Sequence, residues 1–188
     1  MPWISIVDPE DAKGPLAEAY AWQAKRLGRP TEFTQLGSLA PDVVHARLVL
    51  YRASENIPSR LTPRHRLLIS YLTSILNATP HCASLARSQL FDVDGGTNLL
   101  EVLDRGTYDA LPADEAALAD YVHKLTLTPG LIAESDVVRL REEGFGDLEI
   151  LDANNSCAHL NYTNRVANGL GLFSEAPVEE RSAERVPG

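Results

Sequence analysis

The sequence predicts an all-α protein, on the basis of its composition and of the spacing of its prolines and glycines. The 188 residues are 44% hydrophobic but only 6% aromatic. This composition is typical of helices rich in alanine and leucine, whose small or unbranched side chains lose little freedom in a helix. Prolines and glycines recur where helices start and stop, and no segment alternates polar and apolar residues as a strand does. The length favours a single domain.

Each expected helix has a start or stop signal of its own. The first begins at Pro15 and ends before Gly28, a residue suited to a left-handed C-terminal cap. The fourth begins at Thr79, an expected N-cap, with Pro80 at the first helical position. Apolar periodicity and the other breakers complete the assignment. The predicted helices cover residues 15–27, 42–56, 63–76, 80–91, 98–104, 112–127, 135–143 and 147–169.

The C-terminal segment differs from the rest in its polarity. No internal repeat or low-complexity tract interrupts residues 1–173, whereas the final stretch SEAPVEERSAERVPG is dominated by polar side chains. We therefore expect a helical domain over residues 1–173 and a polar tail over residues 174–188.

The charge of the chain excludes several classes of partner. Lys and Arg number 17 against 26 Asp and Glu, which gives a net charge of −9 and argues against binding to nucleic acid or to an anionic membrane. No apolar stretch approaches the length of a membrane span, and the N-terminal residues lack the pattern of a signal peptide. We expect a cytoplasmic protein with neither nucleic acid nor membrane as a partner.

The two cysteines limit the chemistry that the chain can support. They are too few for a disulfide scaffold or a structural zinc site, and the sequence calls for no metal and no organic cofactor. Thiol chemistry must depend on Cys82 or Cys157. Cys157 would resolve a sulfenic acid on Cys82 only if their Cα atoms came within about 7 Å; the alternative is a buried structural thiol.

The stretch ATPHCASLA places a cysteine at the start of a helix. If Thr79 is the N-cap, His81 and Cys82 are the second and third helical residues. There, unpaired N–H groups and the helix dipole favour an anion and lower the pKa of a thiol. A neighbouring imidazole can accept the thiol proton. The alternative is a buried cysteine that acts as a small hydrophobe beside a solvated histidine.

The order of several segments resembles a known superfamily. LTPRHRLLISYLTSILNATPHCASLARSQL is followed by LREEGFGDLEIL and HLNYTNRVANGLGL, and the chain opens with WISIVDPEDAKGPLAEAY. This order is similar to that of the carboxymuconolactone decarboxylase and alkylhydroperoxidase D (AhpD) superfamily, in particular its peroxidase-related members, over about residues 1–173. The resemblance implies an AhpD-like all-α fold in a single domain that forms a homo-oligomer, as a trimer, dimer or hexamer.

The redox motif of that superfamily is only partly present. The family has a Cys-x-x-Cys pair at the start of a buried helix, a histidine before the second cysteine in some members, a second histidine four residues later and a glutamate on the preceding helix. Cys82 and His81 match the second cysteine and the preceding histidine. The other three positions hold Thr79, Ala86 and Leu67. The resemblance therefore implies an altered site without an intramolecular Cys-x-x-Cys disulfide.

The leading functional prediction is a single-thiol peroxidase or oxidoreductase that acts on a hydroperoxide. Cys82 would be the nucleophile, His81 its base or charge partner, and Thr79 an N-cap and hydrogen-bond donor. Residues expected to line the substrate cavity are Tyr71, Ser74, Leu67 and Ala86. The alternative for Tyr71 is that it belongs to the hydrophobic core. The alternative for Ser74 is that its hydroxyl donates a hydrogen bond to a carbonyl one turn earlier in the helix.

Two other functions fit the same residues. One is the superfamily's cofactor-free decarboxylase, lyase or isomerase chemistry on a small carboxylic acid in a biosynthetic pathway, with His81 as the acid or base. The other is a non-catalytic binding homologue, because three of the five motif positions have lost their chemistry. The sequence alone leaves these alternatives open.

Overall fold

Helices are the only regular secondary structure in residues 2–183, the part of the chain that the computed structural model describes. The prediction of an all-α fold is confirmed, and each of the eight predicted helices is present with both ends within two residues of the expected positions. The helices are α1 (Pro15–Leu27), α2 (Glu32–Leu36), α3 (Pro41–Glu55), α4 (Pro63–Leu76), α5 (Pro80–Leu90), α6 (Gly96–Arg105), α7 (Ala113–Leu127), α8 (Glu134–Glu142), α9 (Asp147–Gly169) and α10 (Val178–Ala183), with a 3₁₀ turn at Pro129–Leu131.

Helix α4 is the centre of the core. It packs against α5, α7 and α9, and its Leu68, Ile69 and Leu72 are fully buried. Burial of each such side chain contributes about 1.5–3 kcal/mol. The helix begins as the sequence predicts, because the Thr62 side chain accepts a hydrogen bond from the amide of His65 and Pro63 occupies the first helical position.

Three cationic or polar side chains in the first turn of α4 anchor it to α7 and α9. These residues follow one another along the chain, and each one pairs with a different carboxylate. The pairs are Arg64 with Glu115 at 2.5 Å, His65 with Asp114 at 3.2 Å and Arg66 with the buried Asp152 at 2.5 Å. These three pairs fix the first turn of α4 against α7 and α9, and the other end of α4 leads through a short turn into α5.

Helix α9 is the longest helix of the described residues, with 23 residues. Its buried face includes polar side chains, among them Asp152, Cys157 and Asn164. Within residues 2–183, no helix combines the length and the apolar content that crossing a lipid bilayer requires.

The sequence did not predict α2, α10 or the 3₁₀ turn. Residues 176–183, here called the C-terminal strap, lie against α5: the amide of Ala176 donates to Ser84 Oγ at 2.9 Å, and Ser88 Oγ donates to the carbonyl of Arg181 at 3.3 Å. Ala176 and Glu180 are each 2% exposed. The segment expected to be a polar tail thus contributes buried residues that its composition does not indicate; residues 184–188 lie outside the described part of the chain.

Candidate functional site

The turn between α4 and α5 is tight and conformationally costly. Ala78 adopts a left-handed backbone with φ of 52°, a region that a residue with a Cβ enters only at a cost. The amide of Thr79 donates to the carbonyl of Ser74 at 2.9 Å, which closes the turn. Thr79 occupies the N-cap position of α5, but its hydroxyl points back to the carbonyl of Asn77 at 3.4 Å and caps no amide of the helix.

Cys82 is the third residue of α5 and is 7% exposed. It lies in the first helical turn, where backbone N–H groups have no acceptor within the helix and therefore favour negative charge. Ala86, one turn further on and thus on the same side of α5, is 2% exposed and belongs to the main hydrophobic core. Leu67 of α4 packs against the same core.

His81 lies on a different side of α5. Successive helical residues are separated by about 100°, and His81 shares its side with Ser84 and Ser88, which form hydrogen bonds with the C-terminal strap. The imidazole is 1% exposed, so the alternative of a solvated histidine is wrong. Burial lowers the pKa of His81 to about 4, which makes the ring neutral near pH 7.

Two carboxylates face the two ring nitrogens of His81. Glu32 Oε2, from α2, lies 3.8 Å from Nδ1, and Glu180 Oε2, from α10, lies 4.0 Å from Nε2. Glu180 also accepts a hydrogen bond from the amide of Glu32 at 2.9 Å. Sequence reasoning missed both glutamates, because nothing in their local sequence distinguishes them from solvated surface residues.

Tyr71 and Ser74, the expected ligand-binding residues on α4, have different environments. The hydroxyl of Tyr71 donates to Asp104 at 2.8 Å, and burial together with this carboxylate raises the pKa of Tyr71 to about 12. Ser74 is fully buried, and its Oγ has no hydrogen-bond partner within the described residues. The hydrogen bond expected from Ser74 to a carbonyl one turn earlier does not form.

Cys157 is held among polar groups in the middle of α9. It is 0% exposed, with its sulfur 3.6 Å from Thr73 Oγ1, 3.5 Å from Thr126 Oγ1 and 3.4 Å from Asn161 Nδ2. Burial raises the pKa of the Cys157 thiol. This environment is that of a buried structural thiol, which is the sequence-based alternative to a resolving role for Cys157.

A polar depression of about 350 Å³ lies away from the predicted site residues. Its lining includes Tyr108 and His123, whose hydroxyl and Nδ1 atoms are 2.8 Å apart. None of the side chains singled out from the sequence contributes to this depression.

Comparisons with known proteins identify the fold. The sequence matches no protein-family model and no curated protein. The structure is similar to a peroxidase-related protein from Ralstonia eutropha JMP134 described as an alkylhydroperoxidase AhpD core, with a TM-score of 0.82 and 20% identity over 100% of this chain and 98% of the other. This chain has the AhpD-like fold. A peroxidase-related protein from Silicibacter sp. TM1040 is similar with a TM-score of 0.74, 23% identity and 90% coverage of both chains.

A third protein with the AhpD-like fold has a different stated activity. A cysteine-to-alanine variant of the debrominase Bmp8, in complex with 2,3,4-tribromopyrrole, is similar with a TM-score of 0.74 and 13% identity over 95% of this chain and 94% of the other. The resemblance inferred from the sequence is thus confirmed for the fold.

Within this AhpD-like fold, the predicted site residues fall into two groups. Thr79 is the N-cap residue of α5, and His81 and Cys82 are in its first turn, on different sides of the helix. Ala86, one turn further along α5, belongs to the hydrophobic core, and Leu67 of α4 packs against that core. The structure adds the two glutamates that face His81.

Proposed function

We propose that this protein is a single-thiol oxidoreductase of the AhpD-like, peroxidase-related kind, with Cys82 as its nucleophile. The observation that carries the proposal is the position of Cys82 in the first turn of a buried helix, directly after a histidine that burial keeps neutral. Two similar structures of this fold are described as peroxidase-related proteins. The backbone amides of the first turn favour the thiolate, the form that attacks peroxides.

The proposed reaction needs one thiol and an external reductant. The thiolate of Cys82 attacks the distal oxygen of a hydroperoxide, so that an S–O bond forms, the O–O bond breaks and the departing alkoxide takes up a proton to become an alcohol. Two molecules of a small thiol then reduce the sulfenic acid to the thiol, releasing water and a disulfide. Thr79 stands at the position of a resolving cysteine, and for this reason the second step requires a separate thiol.

The apolar side chains at two predicted cavity positions, Leu67 and Ala86, favour an organic hydroperoxide over hydrogen peroxide. Leu67 and Ala86 belong to or pack against the core beside α5, and apolar walls bind an alkyl or aryl group better than water. Bmp8, a protein of the same fold, binds a small brominated ring in its cysteine-to-alanine variant, which supports a small apolar substrate.

A second candidate is cofactor-free proton transfer on a small carboxylic acid, with His81 as the acid or base. The arrangement that favours it is the neutral imidazole of His81 between Glu32 and Glu180. A neutral, buried imidazole flanked by carboxylates can both accept and return a proton. In this case Cys82 would be a packing residue only.

Exposed apolar side chains on α3 and α9 support a homo-oligomer. Val43, Leu50 and Leu151 are 54%, 53% and 53% exposed, and α3 and α9 are in contact with one another. Exposed apolar side chains on helices that contact one another are typical of a subunit interface. Light scattering coupled to size-exclusion chromatography would give the number of subunits.

The test of the proposed function is hydroperoxide consumption with a small thiol as reductant. Cumene hydroperoxide turnover should be lost in Cys82→Ser and retained in the matched control Cys157→Ser. Dimedone labelling followed by mass spectrometry should find the sulfenic acid on Cys82. Turnover that survives Cys82→Ser would overturn the thiol mechanism. Activity on a carboxylic acid that survives Cys82→Ala and is lost in His81→Ala would establish the second candidate.

A further inference from the structure

A cluster of three titratable side chains lies at the N-terminal end of α5. Glu32, His81 and Glu180 come from three separate helices, and the two glutamates are 148 positions apart along the chain. His81 and Glu180 are 1% and 2% exposed. The Glu32 side chain is 43% exposed, but its Oε2 atom, which faces His81, is buried.

Four buried polar atoms of this cluster lack hydrogen-bond partners. They are both ring nitrogens of His81 and the Oε2 atoms of Glu32 and Glu180, and they face each other in two pairs at 3.8 Å and 4.0 Å. Each such atom would cost about 1–3 kcal/mol if it stayed unsatisfied. Each of these two distances exceeds the length of a hydrogen bond by about 1 Å. They are too short for a water molecule to fit in line between the ring nitrogen and the carboxylate oxygen. A small side-chain shift would bring each pair of atoms within hydrogen-bond distance.

The number of protons in the cluster decides whether these four atoms can be satisfied. Ionised carboxylates only accept hydrogen bonds, and a neutral imidazole donates from one nitrogen only. With one proton, one ring nitrogen therefore faces a carboxylate without any hydrogen between them. With two protons, both contacts become hydrogen bonds, and the cluster carries a single negative charge.

The electrostatic environment indicates where the second proton resides. Burial lowers the pKa of His81, whereas burial raises the pKa of the Glu180 carboxyl; the charges of Glu32 and Glu179 act in the same direction, and the hydrogen bond from the Glu32 amide and the charge of Arg29 act against it. Glu180 is also the more buried of the two carboxylates, at 2% against 43% for the Glu32 side chain, and we therefore place the second proton on Glu180. Glu180 would donate to Nε2 of His81, and Nδ1–H of His81 would donate to Glu32.

We propose that Glu32, His81 and Glu180 form one proton-sharing unit that holds two protons, and that the two glutamates are positioning residues that set the tautomer and the proton of His81. The catalytic use of this unit, whether for Cys82 or for His81 itself, rests on the proposed function. The two carboxylates face different ring nitrogens, so they cannot bind one metal ion together with His81. No group of acidic, histidine or cysteine side chains within residues 2–183 has the arrangement of a metal site.

The unit connects the exterior to the interior. Glu32 is partly exposed, whereas Glu180, a residue of the C-terminal strap, is buried. When the proton of Glu180 moves to Nε2 and that of Nδ1 moves to Glu32, one proton has passed from the buried end to the exposed end; the charge of the unit is unchanged, while His81 has changed its tautomer and Glu180 is ionised. Such a path would carry protons between solvent and the buried first turn of α5, the helix on which Cys82 also lies.

The test is the tautomer of His81 in the full chain, read from long-range ¹H–¹⁵N correlations of the histidine rings between pH 5 and 8.5. The chain has five histidines, and the signal that disappears in His81→Gln assigns the residue. We expect the proton on Nδ1 with no titration over this range. Titration of wild-type His81 near pH 6.5 with mixed tautomers would overturn the proposal.

Variants of the two glutamates sharpen this test. Glu180→Gln should keep the tautomer, because its amide N–H₂ can donate to Nε2 as the protonated acid does. Glu180→Leu and Glu32→Leu should change the tautomer ratio, and Glu179→Gln, an exposed neighbour, is the matched control. A ratio that is the same in all four variants would contradict the proposal.

A kinetic measurement tests the link to the reaction. Glu180→Leu should slow cumene hydroperoxide turnover by at least about tenfold and change its pH profile, while Glu179→Gln leaves both unchanged. If Glu180→Leu and the control have the same profile, the positioning role is wrong. Because the tautomer is read without substrate, an inactive Cys82 would defeat the proposed function and leave the proton-sharing unit standing.

Discussion

The two cysteines of this chain are both buried, yet their environments differ in almost every other respect. Cys157 lies in the middle of a long helix, where each backbone N–H is already paired, and its sulfur contacts two threonine hydroxyls and an asparagine amide. Cys82 lies in the first turn of a shorter helix, one turn before the core residue Ala86. Burial by itself therefore does not separate a reactive thiol from a structural one. The position of the cysteine along its helix does separate the two kinds of thiol, because only the first turn of a helix offers unpaired N–H groups.

The largest expected difference between the two cysteines is in alkylation. At pH 8 in the native protein, iodoacetamide should modify Cys82 at least about 100 times faster than Cys157, because only the Cys82 thiolate is favoured by the helix terminus. Peptide mass spectrometry over time measures both rates in one sample. In urea the two rates should become equal, which serves as the control. Equal alkylation rates of Cys82 and Cys157 in the native protein would contradict the proposed difference between a reactive and a structural thiol.

The histidine next to Cys82 should make the stability of the protein depend on pH. The pKa of His81 is about 4 in the folded state and about 6.5 when unfolded. The unfolded chain therefore binds a proton first as the pH falls, and the stabilisation present above pH 6.5 is lost towards pH 4. The loss amounts to about 3 kcal/mol.

Urea unfolding of His81→Leu at a series of pH values measures this contribution. The free energy of unfolding of this variant should lack the part of the decline between pH 6.5 and pH 4 that protonation of His81 causes. His45→Gln, a substitution at an exposed histidine, is the matched control and should follow the wild type. A decline in His81→Leu as steep as in the wild type would contradict the assignment.

Removal of the two sulfur atoms should have unequal effects on stability. Cys157→Ala should lower the free energy of unfolding by about 2 kcal/mol, because it leaves a cavity and takes a partner from Thr73 and Thr126. Cys82→Ala should cost about 1 kcal/mol, since Cys82 is less completely buried than Cys157. Cys157→Ser retains the hydrogen bonds and should lie between the two. A larger loss for Cys82→Ala would reverse the comparison.

The smallest expected effect concerns the turn that precedes Cys82. Ala78 has a φ of 52°, and glycine reaches this conformation without a clash. Ala78→Gly should therefore raise the free energy of unfolding by about 1 kcal/mol, whereas Ala78→Val should lower it. Chemical denaturation of the two variants beside the wild type gives both values. A destabilising Ala78→Gly would mean that the turn is not strained.

The sequence predicts the long helices well because their signals are local. Pro15 and Gly28 delimit α1, and Pro80 starts α5, where the backbone geometry of single residues determines the boundary. Helices α2 and α10 have only five and six residues, too short to form from their own propensities. They exist because tertiary contacts hold them, such as the hydrogen bond from the amide of Glu32 to Glu180 and that from Ser88 to the carbonyl of Arg181.

The candidate site could be predicted from the sequence only in part, for the same reason. His81 and Cys82 are adjacent in the chain, and the N-terminus of their helix is visible from Thr79 and Pro80. Glu180 lies in a segment whose composition indicates a solvated tail, and its burial depends on how that segment packs on α5. A partner that arrives through tertiary packing leaves no periodic or compositional signal beside the residue it contacts.

The C-terminal strap has a consequence for the time course of synthesis. Translation produces α5 long before Glu180, so a nascent chain that has already collapsed around α4 still presents an uncovered imidazole at residue 81. The two carboxylates meet that ring only when the last helix of the described chain has emerged and docked. Completion of this region is therefore among the final events in the making of the protein, and shortening the chain before residue 176 would leave the ring open to water.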